Sequence, residues 1–195
     1  MTTLVVHPDT DPSTTTVRTT DADEIADQLA RRGVRFERWR SEGSAAGIDS
    51  DGVLAAYAGD VAGLRAEGYD TVDVVRLVPD DADPAWPERA AGARSKFLAE
   101  HTHDDDEVRF FSEGRGAFYL RIDGEVAIVL CEAGDLLSVP AGTTHWFDMG
   151  SRPHFAAIRF FRVPEGWVGN FTGDDIASRL ETFDDLVGAE QPADK

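Results

Sequence analysis

The order of apolar and polar residues divides the chain into a largely helical first third and a strand-rich remainder. Leu4-Val5-Val6 is a short apolar start in a Thr- and Asp-rich stretch, which fits an edge strand or a frayed terminus. Thr20 and Asp21 precede a segment in which Ile25 and Leu29 lie four apart. Acids fill its first turn, Arg31 and Arg32 its last, and Gly33 follows, which predicts a short amphipathic helix. Residues 34–39 partly alternate like a strand, and SEGSAAG at 41–47 reads as a loop. From about Asp51 a second helix places Val53, Leu54, Tyr57, Val61 and Leu64 on one face and stops at Gly68. Beyond Tyr69 the period becomes two. Strand patterns recur at 71–78, 97–103, 107–111, 117–122, 125–131, 136–139, 145–148 and 154–161. Asp123-Gly124 is a strong hairpin signal, and Gly114-Arg115-Gly116 and Ala133-Gly134-Asp135 read as further turns. Ile176, Leu180 and Phe183 predict a last helix, followed by a loose AEQPADK tail at 189–195. The expectation is one mainly β domain with flanking α-helices: a helical and mixed extension (1–68), a β-barrel core (69–167), and a C-terminal helix and tail (168–195).

Composition narrows the partners. Thirty-seven Asp and Glu against 19 Lys and Arg give a formal charge of −18, so a polyanion meets repulsion over most of the surface and nucleic acid is excluded as a partner. The one cysteine, Cys131, rules out an internal disulfide framework and reads as a small buried hydrophobe in a strand. The first 16 residues have neither a basic nor an apolar signal region, and no stretch approaches the roughly 18 apolar residues of a membrane span. A cytoplasmic protein, monomeric and without membrane contact, is expected.

Chemistry concentrates in the histidines. There are five: His7, His101, His103, His145 and His154. His101 and His103 are two apart in a strand pattern, so both imidazoles leave one face of the sheet. Glu107 and Arg109 share that parity if the Asp104-Asp105-Asp106 step preserves it, and they then point inward among Phe97, Ala99 and Phe111. Such a polar row in an apolar interior is costly unless compensated, and a divalent metal would compensate it. A histidine pair near an acid also recurs by chance, and three successive aspartates fit a solvated turn equally well. Two spacings weigh for the metal. The first block reads H-x-H-x(3)-E-x(6)-G, from His101 to Gly114; the second reads G-x(5)-P-x-G-x(2)-H, from Gly134 to His145.

These paired blocks resemble the signature motifs of the cupin superfamily, small jelly-roll (double-stranded β-helix) barrels that hold a metal with three histidines and one glutamate. Two positions depart from the pattern: Ser95 stands where a Gly usually opens the first motif, and Met149 where an Asn usually closes the second. Both are turn or packing positions. The run EHTHDDDEVRFFSEGRGAFYLRI, with SVPAGTTHWFDMG, AIRFF, PEGW and FTGDDIAS, is similar to the bacterial acireductone dioxygenase family over roughly residues 95–178. That resemblance implies an enzyme of methionine salvage that oxidises 1,2-dihydroxy-5-(methylthio)pent-1-en-3-one with O2. With Fe(II) the family makes formate and the 2-keto acid precursor of methionine; with Ni(II) it makes formate, carbon monoxide and 3-(methylthio)propanoate.

The same resemblance implies His101, His103, Glu107 and His145 as ligands of Fe(2+) or Ni(2+), six-coordinate cations that keep two adjacent positions for substrate. Zinc is more often content with three protein ligands. Arg109 is implied to favour the doubly deprotonated substrate, the rival reading being a salt bridge to Glu107 or to an acid at the barrel mouth. Arg159 is a second candidate cation. Glu100 and Asp106, on the opposite parity, are implied in metal incorporation and in transmitting conformational change, or else belong to a solvated loop. Phe97, Phe111, Phe147 and Trp167 are candidates for an apolar pocket around the methylthio tail, with core packing the alternative for each. His7 and His154 receive no metal role. Two other readings stay open: a different metal cupin, such as a quercetinase-like dioxygenase or a decarboxylase, and a non-catalytic cupin binding module.

Overall fold

The computed structural model describes residues 1–40 and 47–190. The first strand, β1 (Thr3–Pro8), is followed by β2 (Val17–Thr19), helix α1 (Ala22–Ala30) and β3 (Arg35–Arg38). Asp21 caps α1 by accepting a hydrogen bond from the Glu24 amide at 2.9 Å, and Ile25 and Leu29 form its buried stripe. β1 is neither frayed nor at an edge, because it lies between β2 and a strand of the main sheet with Leu4, Val5 and Val6 fully buried. The second predicted helix is two: α2 (Ser50–Ala56) and α3 (Ala58–Ala66) meet at Tyr57, whose backbone leaves the helical region. The predicted loop at 41–46 and the tail at 191–195 lie outside the described residues.

After β4 (Thr71–Leu77) comes an element that the alternating pattern did not predict: α4 (Trp86–Leu98). Pro87 opens it, and Trp86, Ala90, Ala93 and Phe97, spaced by four, three and four, form its inward face. The strand expected at 97–103 is thereby corrected to the two residues of β5 (His101–Thr102). Phe97 reaches the interior from a helix.

The strands expected at 107–111 and 117–122 are one strand, β6 (Glu107–Ile122). It runs on through β7 (Glu125–Glu132), β8 (Asp135–Val139), β9 (Thr144–Asp148), β10 (Phe155–Phe161) and β11 (Asn170–Phe171). The Asp123-Gly124 turn has positive φ at both residues, 52° and 79°, as a two-residue hairpin between right-twisted strands requires. The expected C-terminal helix is a 3-10 turn (Ile176–Arg179) followed by α5 (Phe183–Glu190).

All strand pairs are antiparallel and form two sheets that share β6. One has the order β2-β1-β7-β6-β9-β5-β11 and the other the order β3-β8-β6-β10-β4. β6 passes from one to the other at its middle. Gly114-Arg115-Gly116 is therefore a bend, not a turn. Ser112 is bulged against β10, Gly114 has φ 68°, and a Cβ on Gly114 would lie 1.8 Å from the His154 carbonyl oxygen, so only glycine fits there. The bulge also reverses parity: before it Glu107, Arg109 and Phe111 face inward, and after it Phe118 and Leu120 do.

Between the sheets lies the main core, with Leu4, Val6, Phe111, Phe118, Leu120, Val129, Leu137, Phe147 and Phe155. Neither outer face is left to water. α2 and α3 cover Val108, Phe110, Ile158 and Phe160, while the 3-10 turn and α5 cover Val5, Tyr119, Ile128 and Trp146. This is the mainly β, helix-flanked class expected, arranged as two facing sheets in the manner of a cupin.

Candidate metal centre

Along β6 the inward side chains change from Glu107 and Arg109 at one end to Phe111 in the core, so polar chemistry is confined to one mouth of the structure. β9 brings His145 beside Leu120 of β6, and β5 pairs with β9 so that His101 is the direct partner of His145. Residues 103–106 then connect β5 to β6, with Asp105 accepting the Arg162 and Val163 amides at 2.6 and 3.0 Å. One ligand atom from each of His101, His103, Glu107 and His145 lies within 4.8 Å of the others, and all four residues are buried.

The hydrogen bonds around the three rings fix which nitrogens converge. Nδ1 of His101 bonds the Ala99 carbonyl at 2.7 Å, Nδ1 of His103 the Val168 carbonyl at 2.8 Å, and Nδ1 of His145 the Thr143 carbonyl at 2.8 Å. A carbonyl only accepts, so each Nδ1 carries the proton and a neutral ring presents a bare Nε2 lone pair. Nε2 of His145 lies 2.8 Å and Nε2 of His103 lies 3.3 Å from Oε2 of Glu107. Lone pairs and a carboxylate facing one another at these distances repel until a cation or an added proton enters. The donor set therefore fits a divalent metal that accepts nitrogen and oxygen.

The proton affinities follow the same geometry. Burial pushes His101 down to about 4, so it is neutral at pH 7. Burial acts the same way on His103, but the hydrogen bond and charge of Glu107 outweigh it and raise that ring above its usual value. Burial alone would raise Glu107; the Arg109 guanidinium instead holds it well below the usual carboxylate range.

Arg109 is buried, donates from Nε to Oε1 of Glu107 at 2.5 Å, and makes a second contact to that oxygen through Nη2. Its guanidinium is caged by the rings of Phe97, Phe118 and Phe147, with centroids 5.6, 5.4 and 5.2 Å away. Arg109 is thus paired with Glu107, as the salt-bridge reading has it, and it also lines the cavity. That cavity, about 230 Å³, is lined by Phe97, the ligand residues His101, His103 and Glu107, and Arg109, Arg159 and Trp167. Lys96, Phe161, Gly169 and Phe171 complete it and were not foreseen. Arg159 is held by Asp73, at 2.8 and 2.6 Å.

Four candidate residues stand apart from the ligand group. Phe111 and Phe147 belong to the packed core below the cavity, in contact with Phe118 and Phe155, because the parity that turns them inward also carries them past the polar layer. Glu100 points away from the rings toward Arg121, at 3.2 Å, and Thr172. Asp106 accepts from Tyr69 Oη and the Ala141 amide, both at 2.9 Å, and also meets Arg162. Neither carboxylate touches a ligand ring; backbone carbonyls orient all three. A carbonyl has no residue-type signature, although two of the three lie two residues before the histidine they hold.

Residues 62–169 match the ARD/ARD' family. Over 187 residues the chain is 61% identical to an acireductone dioxygenase of Parvibaculum lavamentivorans, covering 94% of this chain and 98% of the relative. The chain belongs to the ARD/ARD' family. Another member, acireductone dioxygenase 2 of Nocardia farcinica, is 54% identical over 190 residues, 97% of this chain and the whole of that one. In three dimensions the ARD/ARD' chain is similar to an acireductone dioxygenase from Bacillus anthracis solved with a cadmium ion in its active centre. The TM-score is 0.73 at 28% identity, covering 88% of this chain and 98% of that one.

Proposed function

We propose that this protein is an acireductone dioxygenase. It oxidises 1,2-dihydroxy-5-(methylthio)pent-1-en-3-one with O2 to formate and 4-methylthio-2-oxobutanoate when it holds Fe(II), and to formate, carbon monoxide and 3-(methylthio)propanoate when it holds Ni(II). The observation that carries this reading is the meeting of three carbonyl-oriented imidazoles and one carboxylate beside a cavity of about 230 Å³. His101, His103, Glu107 and His145 would hold the cation, which would supply Lewis-acid activation of the bound substrate. Arg109 keeps Glu107 ionised and places a fixed positive charge beside the enediol oxygens, favouring loss of both their protons. Because the guanidinium is enclosed by three aromatic rings, water screens it poorly and its effect on the substrate is strong. Phe97 and Phe161 receive the methylthio tail, and Trp167 caps the rim of the cavity above the reacting end. Glu100 and Asp106 act at a distance, through Thr172 and Arg121 and through Tyr69 and Arg162, on the segments that carry the ligands.

The test is product analysis of protein loaded separately with iron and nickel and given anaerobically prepared acireductone followed by O2. Carbon monoxide from the nickel form alone is expected; no acireductone consumption by either form overturns the proposal in favour of another cupin chemistry or a binding module. The reading extends to a cytoplasmic monomer, which the single, fully buried Cys131 suits, and light scattering on purified protein checks the oligomeric part.

A further inference from the structure

The chain contains two lysines, Lys96 and the terminal Lys195; the other seventeen of its 19 basic residues are arginines. Lys96 lies in the last turn of α4 and lines the cavity. Its surroundings set it apart from the other cations there. Arg109 is matched by Glu107 and Arg159 by Asp73, whereas Lys96 has no carboxylate partner among the described residues, although the chain carries eighteen more acids than bases. Its ammonium rests instead over the ring of Trp167, 5.6 Å from the centroid, on a half-exposed side chain at the rim.

An unmatched cation beside an aromatic ring holds its place weakly, and an anion arriving in the cavity offers it a better partner. Lysine suits such an exchange: its charge is compact and its stem flexible, while a guanidinium would lie flat on the indole and stay there. An anionic substrate approaching so acidic a protein also needs a local positive field at the point of entry.

We propose that Lys96 is a specificity-determining residue of this cavity. It leaves the Trp167 ring to pair with the incoming enediolate, and so selects that anion over a neutral hydroxyketone with the same tail. This rests on the proposed function, and the experiment separates the two. The probe is the acireductone analogue with a methylene in place of sulfur, titrated without O2 into nickel-loaded protein, with the corresponding neutral hydroxyketone as control; steady-state kinetics follow with O2 admitted. Lys96→Met is expected to raise the Kd and KM of the anionic analogue about tenfold, with kcat within about twofold and neutral binding unchanged. Added salt should weaken anion binding to wild type more than to Lys96→Met, and Lys96→Arg should fall between the two. Equal anion Kd in wild type and Lys96→Met overturns the proposal. So does a loss of kcat at constant KM, or an equal loss for the neutral ligand, since either marks a merely structural role through Trp167. Wild type that neither binds nor consumes acireductone removes the proposed function and the Lys96 role together.

Discussion

Asp148 and Glu107 are both buried carboxylates, one at the end of β9 and one at the start of β6, and their surroundings are opposite in kind. Asp148 receives four donors on its two oxygens: Arg94 Nε and Nη2 at 2.7 and 3.0 Å, and the Gly150 and Phe183 amides, each at 2.9 Å. It is complete, and it ties α4 and the start of α5 to the sheet. Glu107 has Arg109 on one oxygen, while the other faces two imidazole nitrogens whose rings have already committed their protons elsewhere. A polar group buried for structure is surrounded by complementary partners; one buried for binding is left with its like. The two regions should therefore answer differently to the same perturbations.

The largest expected difference comes from metal. Ni(II) supplied at about a thousand times its dissociation constant should stabilise the fold by about 4 kcal/mol, on the order of 10 °C in melting temperature. His145→Ala should abolish most of that gain, because even losing an oriented partner of a ligand costs about 10–100-fold in affinity and losing the ligand itself costs more. Thermal melts with and without metal, beside metal analysis of each protein, check it. A wild-type melting temperature unmoved by nickel would make the Glu107 cluster as complete as the Asp148 one.

Asp148→Asn tests the other side. It removes the charge but keeps the shape, leaving Arg94 facing an amide, and should cost about 2–3 kcal/mol in denaturant unfolding with metal content unchanged. Its acid response follows from sign. Arg94 and the two amides outweigh burial and hold Asp148 below its usual value of 3.8, so its stabilisation is fully present above that value and is lost as pH falls through the lower folded-state one. Unfolding free energies between about pH 5 and pH 2 should fall more steeply in wild type than in Asp148→Asn.

The same contrast separates what the sequence made legible from what it did not. Strand periodicity located β6 to β10, and the resemblance of the two histidine-bearing blocks to a known metal-binding signature pointed to the four residues that converge. The Asp148 cluster gave no such sign: its donors come from α4, a turn and the start of α5, joined only in three dimensions. α4 itself was obscured since Phe97, Ala99 and His101 continue an alternating pattern across the helix end, although Trp86, Ala90, Ala93 and Phe97 carry a helical face. Gly114 and Gly116 read as a turn because a bulge uses the same residues. The helix broken at Tyr57 shows the limit of an apolar face, which states what is buried and not whether the backbone is continuous.

The smallest effect is expected where the two kinds of ion pair stand side by side. Arg109 and Arg159 are direct partners across β6 and β10 and both line the cavity. Arg109 is enclosed and holds the ligand carboxylate; Arg159 holds Asp73, its partner on β4, whose side chain is half exposed. A cross-strand pair open to water contributes little, and the two guanidiniums repel, Arg159 being one of the charges that, after burial itself, disfavour the charged form of Arg109. Arg159→Met should therefore change unfolding free energy by no more than about 0.5 kcal/mol and leave metal content unaltered. A larger loss, or a fall in bound metal, would place Arg159 with the incomplete cluster and extend the working charge of the site across to β4.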